Sequence, residues 1–299
     1  MVAVLGARST ADDVLRGRDL TDQNVLVTGC NAGIGYETAR ALAAHGAHVF
    51  VACREPAKAN ATVERIRTSH PGAQLTAVSL DLSAFASIRA AVDGLSVDVL
   101  HALICNAGLF SSSYRETAEG FESTVGVCHF GHFLLTTLLL DKLRRAAPGR
   151  VVMVGSESHR HPAQLDLTRF PLQRGNFKPL VAYGQAKLCN TLFANELTRR
   201  HASEGVFANS LHPGSMIGTS IFRSSIPARL LALAAKPFAK TIEQGAATSV
   251  FCATAPELAT TGGQYYSDCR VREMSRGARD VDVAARLWQR TDELVARAD

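Results

Sequence analysis

Residues Asn24-Val-Leu-Val-Thr28 read as a short buried strand, and they run directly into Gly29-Cys30-Asn31-Ala32-Gly33-Ile34-Gly35 and a helical stretch from about Ile34 to His45. A strand, a glycine-rich turn and a helix in that order leave few folds open. Gly29 permits a tight turn, Gly33 lets the backbone approach a pyrophosphate, and Gly35 lets the helix pack closely on the strand. The helix aims its free amide groups and the positive end of its dipole at the phosphates. A glycine-rich turn also serves purely structural ends, but this one sits between strand and helix, where a dinucleotide is held.

The rest of the chain keeps the same rhythm. Apolar runs at Val25 to Val27, Val49 to Ala52, Leu75 to Val78, Ala102 to Ile104, Val151 to Val154 and Val206 to Leu211 are separated by helical segments. That alternation predicts an α/β fold with a doubly wound parallel sheet and helices on both faces. A seventh strand is expected near Gly263 to Tyr266, and a last helix near Val281 to Arg297 that turns Leu287 and Trp288 inward. Thr10, with Asp13 three residues on, marks a helix start, so residues 1–20 are expected as an N-terminal appendage to a domain over 21–299.

The net charge of +5 is spread among carboxylates rather than gathered in runs, which argues against a nucleic-acid partner. Met1 to Arg8 lacks the basic leader of a secretory signal, and no uninterrupted apolar stretch approaches a membrane span; a cytoplasmic protein is expected. Seven cysteines, mostly within strand or helix patterns, are expected as reduced thiols. His159 and His161 flank an arginine in a polar loop without a convincing third ligand, so no metal is expected.

Tyr183 and Lys187 lie four residues apart, which on a helix stacks phenol and ammonium on one face. A free tyrosine with a pKa of about 10 moves protons poorly at neutral pH, but a neighbouring cation favours the phenolate. Tyrosine and lysine at this spacing also occur simply as a ring covered by a lysine stem.

The chain carries Thr28-Gly-x-x-x-Gly-x-Gly35, Asn106-Ala107-Gly108, Ser156, Tyr183-x-x-x-Lys187 and Pro213-Gly214 in this order. Together these resemble the short-chain dehydrogenase/reductases. Ala52-Cys53-Arg54, Ser156-Glu157-Ser158-His159, Lys187-Leu188-Cys189-Asn190 and Gln244-Gly245-Ala246-Ala247-Thr248 resemble the branch that holds the retinol dehydrogenases and the oxidoreductase domain of WW domain-containing oxidoreductase. The resemblance implies a single-domain Rossmann-type sheet of about seven strands. It also implies Tyr183, Lys187 and Ser156 as catalytic residues, with Ser156 rather than Ser158 steadying a substrate oxygen.

For the cofactor, the resemblance and the fold point to Gly29, Asn31, Gly33, Ile34, Gly35, Asp81, Leu82, Asn106, Ala107, Gly108, Tyr183, Lys187, Pro213, Gly214 and Thr219. At the end of the second strand an acidic residue would hydrogen-bond the ribose of NAD; Arg54 stands there instead and suits the 2′-phosphate of NADP. Asp81 also fits a helix N-cap before Ala84 to Asp93. The segment from Ser156 to Tyr183 is expected as a substrate-side loop, and residues 219–241, with the run Arg229-Leu-Leu-Ala-Leu-Ala-Ala-Lys236-Pro-Phe, as an apolar lid whose basic character also suits weak contact with a membrane surface.

The chief departure is Cys128, where the family usually has the Asn of its proton relay; a thiol cannot copy a carboxamide. The expected function is NADP-dependent interconversion of an apolar alcohol and its ketone or aldehyde. The alternative is a weakly catalytic NADP(H)-binding module acting through protein contacts. An enzyme on a polar intermediate is a third option, and a dimer is compatible with all of them.

Overall fold

The computed structural model describes residues 5–214 and 240–298. Thr219 and the 219–239 part of the expected lid lie outside the described residues. One eight-stranded sheet organises the chain: β1 Asn24–Thr28, β2 His48–Cys53, β3 Leu75–Ser79, β4 Ala102–Cys105, β5 Gly149–Val154, β6 Val206–His212, β7 Tyr265–Ser267 and β8 Arg270–Arg272. Their spatial order is β3-β2-β1-β4-β5-β6-β7-β8, and all pairs are parallel except β7 with β8. The chain therefore winds outward from β1 in one direction and from β4 in the other, and the crevice at that switch point is where such sheets bind ligands.

The central strands β1, β2, β4 and β5 are largely apolar on both faces, as in a sheet covered twice. Leu26, Phe50, Leu103, Val151 and Met153 point into one core, and Val25, Val27, Val49, Ile104 and Val152 into the other. The second core is covered by α1 Ala11–Leu15, α2 Gly33–Ala44, α3 Pro56–Ser69 and α7 Ile242–Thr254; the first by α4 Phe85–Asp93, α5 Ser123–Ala146, α6 Pro179–His201 and α8 Val281–Ala298. Thr10 caps α1 reciprocally with Asp13, and the helix buries Ala11, Val14 and Leu15 among residues of α2 and α7. On α8, Leu287 is buried, and Trp288 stacks on Phe193 of α6.

Three features depart from expectation. The strand β8 is an exposed Arg-Val-Arg with no apolar run to announce it, joined to β7 by Asp268 and Cys269, both with positive φ, the geometry of a two-residue hairpin turn. Helix α5 is long and apolar enough to cross a membrane, against the expectation that no stretch is, but 83% of its apolar window is buried in the fold. The segment between Ser156 and Tyr183 is also more than a substrate-side loop: Leu165 and Phe170 enter the first core, with Phe170 stacked on Phe130 of α5.

Candidate active site

A cleft of about 900 Å³ opens at the carboxyl ends of β1, β2, β4 and β5. Of the residues expected at the site, Gly29, Asn31, Gly33, Ile34, Gly35, Arg54, Asp81, Leu82, Asn106, Ala107, Gly108, Ser156, Tyr183, Lys187, Pro213 and Gly214 all line it. Thr219 lies outside the described residues, and Cys128 is buried just behind the wall.

The turn after β1 is built for close approach. Gly29 has φ +73, and a Cβ there would stand 2.9 Å from Ala107 Cα; Gly33 has φ +61 and faces open space. A Cβ on Gly35 would be driven into the Gly29 carbonyl and the Asn106 amide. Asn106 Nδ2 donates to the carbonyls of Thr28 at 2.8 Å and Gly29 at 3.2 Å, tying β4 to the turn. The N-cap residue of helix α2, Ala32, offers no side-chain cap, so the first amides of the helix are left for an anion in the cleft.

At the end of β2, Arg54 and Lys58 share the Glu55 carboxylate at 3.7 and 2.5 Å, and all three line the cleft. Asp81 is not the N-cap of α4: its Oδ1 accepts from Ser83 N and Oγ, whereas the cap residue is Ala84 and the Phe85 amide donates to Glu119.

Across the cleft, Lys187 is only 4% exposed, and its Nζ donates to the Val154 carbonyl at 2.9 Å. The same ammonium lies 5.6 Å from the centre of the Tyr183 ring, which packs in a T-shaped arrangement with Phe110. Ser156, at the end of β5, accepts from Ser158 N and donates to Ser158 Oγ, both at 3.2 Å, and of these two serines Ser156 is the one that lines the cleft. His159 is a structural residue: its Nδ1 meets the Ser156 carbonyl and its Nε2 accepts from Ser275 N. Cys128 Sγ stands 3.9 Å from the Leu109 carbonyl. All seven cysteines are free and buried, and burial raises the thiols of Cys30, Cys189 and Cys252 and pushes Cys105 up to about 12, the chemistry of inert thiols rather than redox sensors.

Sequence reasoning passed over Val154, Lys58 and His212, which also line the cleft. Val154 acts through a backbone carbonyl, which no residue type advertises. Lys58 carried a readable signal, since it is a second cation only four residues after Arg54.

The sequence model described as short chain dehydrogenase matches residues 23–167. WW domain-containing oxidoreductase of Danio rerio is 45% identical over 291 residues, covering 95% of this chain and 71% of that protein. Retinol dehydrogenase 12 of Mus musculus is 42% identical over 275 residues, covering 91% of this chain and 85% of that protein. A crystal structure of an uncharacterised protein from Mycobacterium Paratuberculosis superposes with a TM-score of 0.75 at 30% identity, covering 95% of this chain and 97% of that one. With this likeness running through nearly its whole length, the chain belongs to the short-chain dehydrogenase family of oxidoreductases.

Proposed function

We propose that this oxidoreductase uses NADP and interconverts an apolar primary or secondary alcohol with its aldehyde or ketone. The observation that carries the reading is the convergence of Lys187, Tyr183 and Ser156 on one cleft that also receives the uncapped start of α2 and the cations Arg54 and Lys58. These residues suit a dinucleotide. Gly33 leaves open space beside free helix amides for a pyrophosphate. Arg54 and Lys58 already gather one anionic group, the Glu55 carboxylate, and a 2′-phosphate is another anion of that kind.

When bound, the dinucleotide supplies or accepts the hydride. Tyr183 gives its phenol proton to the substrate oxygen in reduction and takes it back in oxidation. The Ser156 hydroxyl turns from Ser158 to hydrogen-bond that oxygen as negative charge develops on it. The Lys187 ammonium, fixed by the Val154 carbonyl, stabilises charge on the Tyr183 oxygen. An apolar substrate is supported by Phe110, whose ring packs on that of Tyr183.

The test is NADPH and NADH consumption with a panel of apolar and polar aldehydes and ketones, run beside the Tyr183→Phe protein. Turnover with NADPH and apolar carbonyls that disappears in Tyr183→Phe is expected. The second reading, a binding module with little turnover, rests on the Cys128 thiol at the relay position; tight NADPH binding without turnover across the panel would favour it.

A further inference from the structure

Helix α5 changes its winding where it passes Lys187. From Gly126 to Phe130 it is π-type, and the Gly131 N–H reaches back five residues to the Gly126 carbonyl. Such a bulge displaces backbone carbonyls from the regular ladder, and here side chains take hold of the carbonyl of Cys128. One end of the buried Asn190 carboxamide faces two backbone carbonyls, Ala186 at 3.0 Å and Cys128 at 2.8 Å, so that end is the NH2 group and donates to both. His132 Nδ1 meets the same Cys128 carbonyl at 3.1 Å. A carbonyl only accepts, which makes Nδ1 the protonated nitrogen and leaves Nε2 to accept from Thr28 Oγ1 at 3.0 Å. Burial holds His132 down at about 4, in agreement with this neutral form.

Asn190 follows Lys187 by three positions, so the amide and the ammonium leave neighbouring turns on one side of α6. Cys128 and Lys187 also meet over one residue: a Cβ built on Gly108 would lie 3.3 Å from Lys187 Nζ and 3.5 Å from Cys128 Sγ. The thiol is a weak hydrogen-bond partner and cannot brace the two helices as an amide does.

We propose that Asn190 is a positioning residue: from the helix bearing Tyr183 and Lys187 its carboxamide grips the Cys128 carbonyl, so that the α5 bulge is held in register with Lys187. The proposal rests on the reading of Tyr183 and Lys187 as the proton-transfer pair. Among the described residues, the titratable groups that approach Lys187 are Tyr183 on its own helix and His132 and Cys128 on α5. A slack bulge displaces the last two together, so a shift of the pH profile reports this role where a general loss of stability does not.

The test is a double-mutant cycle on the full chain: wild type, Asn190→Ala, Cys128→Asn and the double variant, with turnover measured against pH and NADPH affinity measured by cofactor fluorescence. Asn190→Ala should lower kcat on the order of tenfold and shift the pH limb of kcat, with KM for the carbonyl little changed. Cys128→Asn should restore most of that loss in the double variant, judged against the Cys128→Asn single variant rather than against wild type. Asn190→Leu nearly keeps the volume but has no donor; it should behave like Asn190→Ala, and it stands in for that variant if the alanine protein does not fold. An unchanged kcat, or a loss with an unshifted pH profile that Cys128→Asn does not relieve, overturns the proposal. Tyr183→Phe in the same assay separates the two failures. If it retains turnover, the proton-transfer reading fails; if it abolishes turnover while Asn190→Ala is unaffected, only the positioning role fails. Should wild type turn over no substrate, the NADPH affinities decide: a severalfold weakening in Asn190→Ala that Cys128→Asn recovers supports the coupling, and independent effects refute it.

Discussion

Gly184 stands inside α6 directly after Tyr183, where alanine would ordinarily stabilise a helix by about 1 kcal/mol. The fold has a use for the missing side chain. A Cβ there would be driven into the His161 carbonyl oxygen and would lie 2.8 Å from its carbon and 3.0 Å from the Ser158 oxygen. Against a carbon–carbon optimum of about 3.5 Å, the 2.8 Å approach demands a retreat of roughly 0.7 Å at least. The part that must retreat is the Glu157–Arg160 turn with His161, which closes it; the turn begins on Ser156. Gly184→Ala therefore separates the Ser156 hydroxyl from Tyr183 by an amount approaching 1 Å, a misplacement that costs about 100-fold in rate. Overpacking costs about 1–3 kcal/mol or more and the helix regains about 1 kcal/mol, so the net loss of stability is about 2 kcal/mol or more, several degrees in Tm. The assay pairs NADPH turnover with thermal unfolding, using Gly72→Ala, where a Cβ meets nothing within 4 Å, as the control. A Gly184→Ala protein with turnover within threefold of wild type would refute the idea that this contact sets the spacing of the two hydroxyls.

Replacing Arg54 with Gln should weaken NADPH binding by about tenfold or more, as expected for loss of a charged hydrogen bond, while NADH affinity, measured in the same titration, stays nearly constant; equal effects on both would remove the 2′-phosphate assignment. Burial holds His129 at about 3 and His132 at about 4. Both lie below the ordinary histidine value of about 6.5, so the unfolded chain binds these protons first and stability present above that pH drains away as pH falls toward about 4. The unfolding temperature should drop across that window, and His129→Phe should show a shallower drop; an unchanged slope would show that this histidine does not set it.

Much of the site was legible because it is written in residue types that have few other uses in these places. A glycine with positive φ at 29 and 33, a strand before it and a helix after it constrain the turn whatever the rest of the chain does. The sheet was legible because buried parallel strands are apolar on both faces. What stayed hidden acts through backbone or through tertiary coincidence. The Val154 carbonyl that holds Lys187 has no sequence signature. Arg270–Arg272 lacks a strand pattern because its partner β7 supplies the order. Asp81 fitted an N-cap by spacing, but its side chain closes a local turn on Ser83 instead. The core role of Phe170 could not be read either, since a phenylalanine in a long polar segment finds its stacking partner only once α5 is in place.

Of the 23 residues of α6, fourteen are buried, among them Lys187, Asn190 and Glu196. This helix has no broad solvent-facing stripe on which sequence can drift freely. Between Ala182 and Leu197, a change tends to meet the sheet, α5 or α8, so the proton-transfer geometry and the stability of the whole domain are bound into one set of residues. The first turn is the exception: Leu180 and Val181 lie exposed there and can be exchanged without disturbing the core.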